Sequence, residues 1–211
     1  MIEPRLIQRK KNALKIARTL AKLYPRAKVF LSHGNPWELL VATMLSAQCT
    51  DARVDQVTAT LFKKYKTLND YVRAKQKIFE QDIHATGFYR QKTKHILAAA
   101  RIVREKFNGT VPRTMEELLT LPGVGRKTSN IVLQNAFGIV VGIPVDTHVR
   151  RLARRLGLTC HTDPDKIEHD LMHLLPKSEW APLSYRLVSY GREYCPARRH
   201  DHTRCPLSQL Y

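Results

Sequence analysis

Apolar residues recur along most of this chain at the three- and four-residue spacings of an amphipathic helix. Leu6, Ala13, Leu14, Ala17, Leu20 and Ala21 form one such series, with Lys and Arg between them. Pro36-Trp37-Glu38 opens a second, carried by Leu39, Leu40, Met44 and Leu45. Asp51 is placed to cap a third, which contains Val54, Val57, Leu61 and Phe62. Thr114 and Glu117 form a capping-box pair ahead of Leu118, Leu119 and Leu121. Asp163-Pro164 reads as an N-cap followed by a first-turn proline. Val149, Leu152, Ala153 and Leu156 give one face of a further helix, ended by Gly157. Strand alternation is almost absent: the best stretch, 139–145, is short and contains Gly142 and Pro144. The pattern predicts an all-α fold of about ten helices with short connections. No low-complexity linker divides the chain, so two lobes would share one continuous body.

Composition adds a partner to this picture. At about 150 residues per domain, 211 residues make one or two domains, and 43% hydrophobic content supplies a core. Lys and Arg number 36 against 18 Asp and Glu, a net charge of +18. Such an excess favours a polyanion, with nucleic acid ahead of an acidic membrane surface. An unusually basic protein without such a partner is the plain alternative. No apolar run is long enough to span a bilayer. Residues 1–24 carry charges throughout and have no secretory core, so a cytoplasmic location is expected, at the nucleoid if the source is bacterial. Cys49, Cys160, Cys195 and Cys205 are then expected as reduced thiols or metal ligands, not as a disulfide frame.

The chemistry concentrates in Leu121-Pro122-Gly123-Val124-Gly125-Arg126-Lys127-Thr128, between two helical patterns. Gly123 and Gly125 permit positive φ and leave the backbone bare. The helix that follows begins with unpaired N–H groups at the positive end of its dipole, a ready phosphate site. This is helix-hairpin-helix grammar, which fixes a duplex by its backbone and reads no sequence. A bare Gly-x-Gly would be an ordinary helix corner; the full string in a chain of charge +18 favours the DNA grip. Lys127 sits in the first turn, where the dipole and Arg126 disfavour its ammonium form. Lowering a lysine pKa by about 3 units requires on the order of 4 kcal/mol. The dipole supplies about 0.3–1 kcal/mol, so desolvation by bound substrate must supply much of the rest. A neutral amine there can attack a sugar carbon and form a Schiff base; a simple phosphate contact is the alternative.

Downstream, Val145-Asp146-Thr147-His148-Val149-Arg150-Arg151 places Asp146 where an N-cap belongs. The pairs Arg150/Arg154 and Arg151/Arg155 are like charges four residues apart, better tolerated opposite an anion. An internal near-repeat links 83–97 to 119–133, each a helix end, a glycine turn and a Lys-Thr helix start: Lys92-Thr93 and Lys127-Thr128.

The hairpin string, followed 19 residues after its lysine by Val-Asp-Thr-His, resembles the endonuclease III family of base-excision DNA glycosylases. Leu45 to Asp51 and Gly87-Phe88-Tyr89 match the family pattern too, so the likeness runs from about Pro36 to Cys205. It implies two all-α lobes flanking a DNA cleft. One is a six-helix barrel over 29–138 with the hairpin at 113–135; the other is 1–28 plus 139–211. It implies a bifunctional glycosylase and abasic-site lyase acting as a monomer on double-stranded DNA that carries damaged bases, oxidised pyrimidines first, or abasic sites. Lys127 would attack C1′ of a flipped-out nucleotide and Asp146 would assist. Gln48 would fill the gap left by the base and Phe88 would wedge the opposite strand. Gly123, Val124, Gly125, Arg126, Thr128, His148 and Arg150 would hold DNA. Related adenine glycosylases typically lack the lysine, which places this chain in the lyase-competent branch. A mismatch uracil or thymine glycosylase, and a non-catalytic hairpin protein, are the competing readings.

The chain departs from the family at its end, the loop 195–211. The common pattern C-x6-C-x2-C-x5-C holds a 4Fe-4S cluster; here its positions are Cys195, His202, Cys205 and Tyr211. Two thiolates remain, so no cluster and no cofactor are expected. The alternative is zinc, or a residual cluster, at Cys195, His202 and Cys205, with His200 or Asp201 as a further zinc ligand.

Overall fold

The computed structural model describes residues 2–210, with side chains from 6 to 209. Tyr211, the last position of the cluster spacing, lies outside the described residues. Among those described there are eleven α-helices and no strand. They are α1 (Ile2–Leu23), α2 (Pro36–Leu45), α3 (Asp51–Lys64), α4 (Leu68–Arg73), α5 (Gln76–Asp82), α6 (Tyr89–Lys106), α7 (Met115–Leu119), α8 (Arg126–Phe137), α9 (Thr147–Arg155), α10 (Pro164–Leu174) and α11 (Lys177–Glu193). Short 3-10 turns occupy His84–Thr86, His202–Arg204 and Ser208–Leu210. The all-α expectation holds.

The helix starts follow their caps. Asn35 accepts from the Glu38 amide ahead of Pro36, and Asp163 accepts from the Lys166 amide. At α3 the cap is Thr50, not Asp51; Asp51 is the first helical residue, where its carboxylate meets the positive end of the dipole. Thr114 accepts from the Glu117 amide, while the Glu117 carboxylate accepts from the Thr114 hydroxyl at 2.9 Å, so only half of the expected reciprocal box forms. A complete box exists at Thr67 and Asp70, starting α4. The sequence reading missed it because the helix has only six residues.

Contacts divide the chain into two compact units, Phe30–Ile139 and Met1–Val29 with Val140–Tyr211. In the first, α2 packs against α8, α3 and α6. Leu39, Leu40, Val41, Ala42 and Leu45 have no exposed surface, as a helix apolar on every side requires. Trp37, Tyr65, Tyr71 and Phe79 stack beside it with neighbouring ring centroids 5.2–5.8 Å apart. In the second unit α1 packs on α10 and α11, and α9 packs on both as well. Ile16, Leu20, Val149, Leu152, Leu171 and Leu187 are fully buried in its core.

The strand-like stretch at 139–145 is not a strand. Its backbone is held by side chains instead. The Ile143 amide donates to buried Glu168 at 3.2 Å, and the Ser184 hydroxyl donates to the Pro144 carbonyl at 2.6 Å. These bonds fix the approach to Asp146. Ser184→Ala leaves a buried carbonyl without its donor, so stability should fall by about 1–3 kcal/mol. In a chain of this size that is a Tm lower by roughly 2–10 °C, read by calorimetry.

Candidate functional site

The hairpin is built from a turn that excludes side chains. Leu118 and Leu121 are buried and anchor the end of α7, and the Val124 amide closes the turn on the Leu121 carbonyl at 3.1 Å. Gly123 has φ +77°, and a Cβ there would lie 2.6 Å from Nδ1 of His95 on α6. Gly123 and Gly125 are exposed, while the Val124 side chain is 7% exposed, so Val124 offers a partner only its backbone. Gly125 begins α8 without a capping side chain, and no acidic residue lies in the first turn. That turn carries Arg126, Lys127 and Thr128, all half-buried. The combination suits an anion.

Gln48 and Phe88 belong to the same unit and share a cavity of about 230 Å³ with Met44, Ala47, Gln91, Lys92, His95 and Gly123. Both have left-handed backbone, with φ of 53° and 48°; Asn108 is the only other non-glycine described with positive φ. Such conformations cost energy and collect at functional sites. Phe88 is 65% exposed, an apolar ring held out in solvent.

Lys92 joins these two segments, a role that sequence reasoning did not find. Its ammonium donates to the Leu45 carbonyl at 2.7 Å and to the Thr86 carbonyl at 2.8 Å. It therefore closes the C-terminal end of α2, just before Gln48, and ties it to the turn just before Phe88. Burial holds its pKa below the usual lysine value. The near-repeat had offered a signal, since Lys92 corresponds there to Lys127. The two do different work: Lys92 is buried at the fourth position of α6, Lys127 half-buried at the second of α8.

The other predicted residues lie in the second unit. Asp146 is the N-cap of α9, its Oδ1 accepting from the Val149 amide at 2.8 Å. This leaves its second oxygen for other partners. His148 packs where a Cβ on Gly191 would come within 2.7 Å of its Nδ1. Thr147, His148, Arg150, Arg151 and Arg154 line a cavity of about 420 Å³. The four arginines of α9 divide in use. Arg150 and Arg154 are exposed. Arg151 donates to the Cys195 carbonyl at 2.8 Å, and Arg155 contacts the His202 ring, 2.8 Å from Nδ1. Like charges on this helix are thus offset partly by the loop that follows α11.

In that loop Cys195, His200, His202 and Cys205 bring four ligand atoms within 4.8 Å of one another. Burial and the neighbouring Cys195 push the Cys205 thiol up, while desolvation and Arg155 hold His202 below its ordinary value. The expectation of no metal therefore meets a donor set able to hold one.

Residues 41–177 match the model for HhH-GPD superfamily base excision DNA repair proteins. Fold and hairpin together define a helix-hairpin-helix protein of DNA base excision repair. Endonuclease III of Synechocystis sp. is 49% identical over 206 residues, 98% of this chain and 94% of its own. A solved non-covalent endonuclease III–DNA complex superposes with a TM-score of 0.91 at 44% identity, covering 95% of this chain and 94% of that one. A trapped covalent endonuclease III–DNA intermediate gives the same values. The chain belongs to the endonuclease III family.

Lys92→Met should free the two carbonyls and cost about 1–3 kcal/mol of stability. Amide hydrogen exchange should accelerate at 46–49 and 86–88 while α9 keeps its protection. Unchanged exchange in those two segments would remove Lys92 from this bridging role.

Proposed function

We propose that Lys127 and Asp146 are the reacting pair of a bifunctional DNA glycosylase and abasic-site lyase that removes damaged, chiefly oxidised, pyrimidines. Base excision repair is the family's chemistry, and the observation that carries the lyase assignment is the lysine itself. It stands in the first turn of α8, directly behind the hairpin and without an acidic neighbour in that turn. A relative 44% identical over nearly its whole length has been captured covalently bound to DNA, which supports the same reading.

The scheme begins with backbone capture of the duplex by the hairpin and by the basic surface of a chain of charge +18. The damaged nucleotide leaves the stack. Gln48 takes its place and Phe88 presses on the opposite strand; their left-handed backbone and exposure support these roles. Val124, Arg126, Thr128, His148 and Arg150 hold the phosphates. Lys127 Nζ then attacks C1′, and the bond from C1′ to the base breaks with its electron pair leaving on the base. The Asp146 carboxylate stabilises the cationic sugar and receives the proton that the amine sheds. Ring opening gives a Schiff base. Water or the Asp146 carboxylate takes the C2′ proton, the C2′–C3′ double bond forms as the C3′–O bond breaks and the 3′ phosphate leaves, and water then adds at C1′ and releases the lysine. No step needs a metal. Both reacting groups come from one chain, so a monomer suffices, and its substrate places it with the chromosome.

Borohydride reduction on duplex DNA with an abasic site should trap a covalent adduct in the native protein and none in Lys127→Ala; an equal adduct in the variant would remove Lys127 from the nucleophile role. Asp146→Asn should lower single-turnover base excision by about 10²–10⁴-fold with DNA affinity within a few fold. A substrate panel of oxidised pyrimidines, uracil and thymine mismatches should show preference for the first. Preference for mismatches would favour the uracil or thymine glycosylase reading instead.

A further inference from the structure

A 4Fe-4S cluster needs four thiolates, each on its own iron, and so holds them farther apart than a single ion does. The described loop offers two. His202 takes the second position of the cluster spacing, and His200, outside that spacing, enters the group. These residues do not fit the cubane.

We propose that Cys195, His200, His202 and Cys205 form a closed Cys₂His₂ site for one structural zinc ion. Cys205 Sγ lies 3.4 Å from His200 Nε2 and 3.7 Å from His202 Nδ1. Tetrahedral zinc, with bonds of about 2.3 Å to sulfur and about 2.0 Å to nitrogen, sets its ligands roughly 3.3–3.8 Å apart. The full set, within 4.8 Å, has only about an ångström to close.

The chemistry around the donors agrees. His200 Nδ1 lies 2.9 Å from the Arg198 carbonyl, where it can only donate. That bond leaves the lone pair on Nε2, the nitrogen turned to Cys205, as the partner shell of a metal-bound histidine does. Both sulfurs are buried. The Arg151 guanidinium lies 3.8 Å from Cys195 Sγ, and two thiolates would neutralise the ion. Zinc displaces the proton that Cys205 now donates to the Tyr194 carbonyl, and exposed Arg155 moves off His202 Nδ1. All four positions are filled by protein, which is the mark of a structural site.

The test is metal analysis of the full chain purified without chelator, then Co²⁺ exchange. The expected result is one zinc per chain and negligible iron. The cobalt form should show intense tetrahedral visible bands with thiolate charge transfer. Saturating Zn²⁺ should raise Tm of the stripped protein by roughly 5–10 °C. His200→Gln and His202→Gln, at partly exposed positions, should stay helical by circular dichroism yet lose stoichiometric zinc and the cobalt bands. Iron with matching sulfide, failure to take up either Zn²⁺ or Co²⁺, or an unchanged cobalt spectrum in both histidine variants would overturn the proposal. Trapping of the DNA adduct is read separately, so failure here leaves the Lys127 assignment standing.

Discussion

The absence of room at Gly123 governs the hairpin. With φ at +77° and the His95 ring where a Cβ would be, only glycine lets the backbone turn there. The turn in turn directs α8, whose uncapped start carries Lys127. His95 itself is held by α6, and α6 also provides Lys92, which secures the segments of Gln48 and Phe88. One helix therefore braces three separate pieces of the same surface. Its buried face, Ile96, Leu97, Ala99, Ala100 and Val103, supplies the apolar packing that makes this bracing stiff.

Much of this was legible in the sequence because it follows from local rules. Asp163-Pro164 announces a helix start, as does Pro36 ahead of Trp37 and Glu38, and Asp146 behaves as its position ahead of Val149 indicates. The glycines of the hairpin, read with Arg126 and Lys127, were legible for the same reason. Lys92 was not. Its meaning depends on carbonyls of Leu45, 47 residues away, and of Thr86, and no periodicity reports such a contact. The segment 139–145 shows the converse: it alternates like a strand but pairs with none, and Glu168 and Ser184 bond its backbone from distant helices, which a strand rule cannot anticipate. His200 lies outside the cluster spacing, and the sequence left it level with Asp201 as a further zinc ligand; packing, which spacing does not report, brings it to Cys205.

Helix α9 is used at both ends. Asp146 caps its start, and Arg151 and Arg155 reach from its second half to Cys195 and His202. Nine residues thus span from a carboxylate proposed to touch a sugar to the loop that follows α11. The arginines also explain why repulsion along this helix is bearable, since a backbone carbonyl and an imidazole take up two of the four charges. Gly191 permits the close approach of α11 that completes the arrangement, because a side chain there would strike His148 and Arg151.

The left-handed residues at 48 and 88 carry an evolutionary consequence. Glycine or asparagine relaxes such backbone, so drift toward stability pulls both positions toward small residues. Glutamine and phenylalanine hold this backbone at an energetic cost, as residues at functional sites often do. The fold around them is indifferent to their identity, since both are exposed. On the proposed reading, a change at either site would trade backbone strain against the contact its side chain makes with DNA, while the scaffold stays as it is.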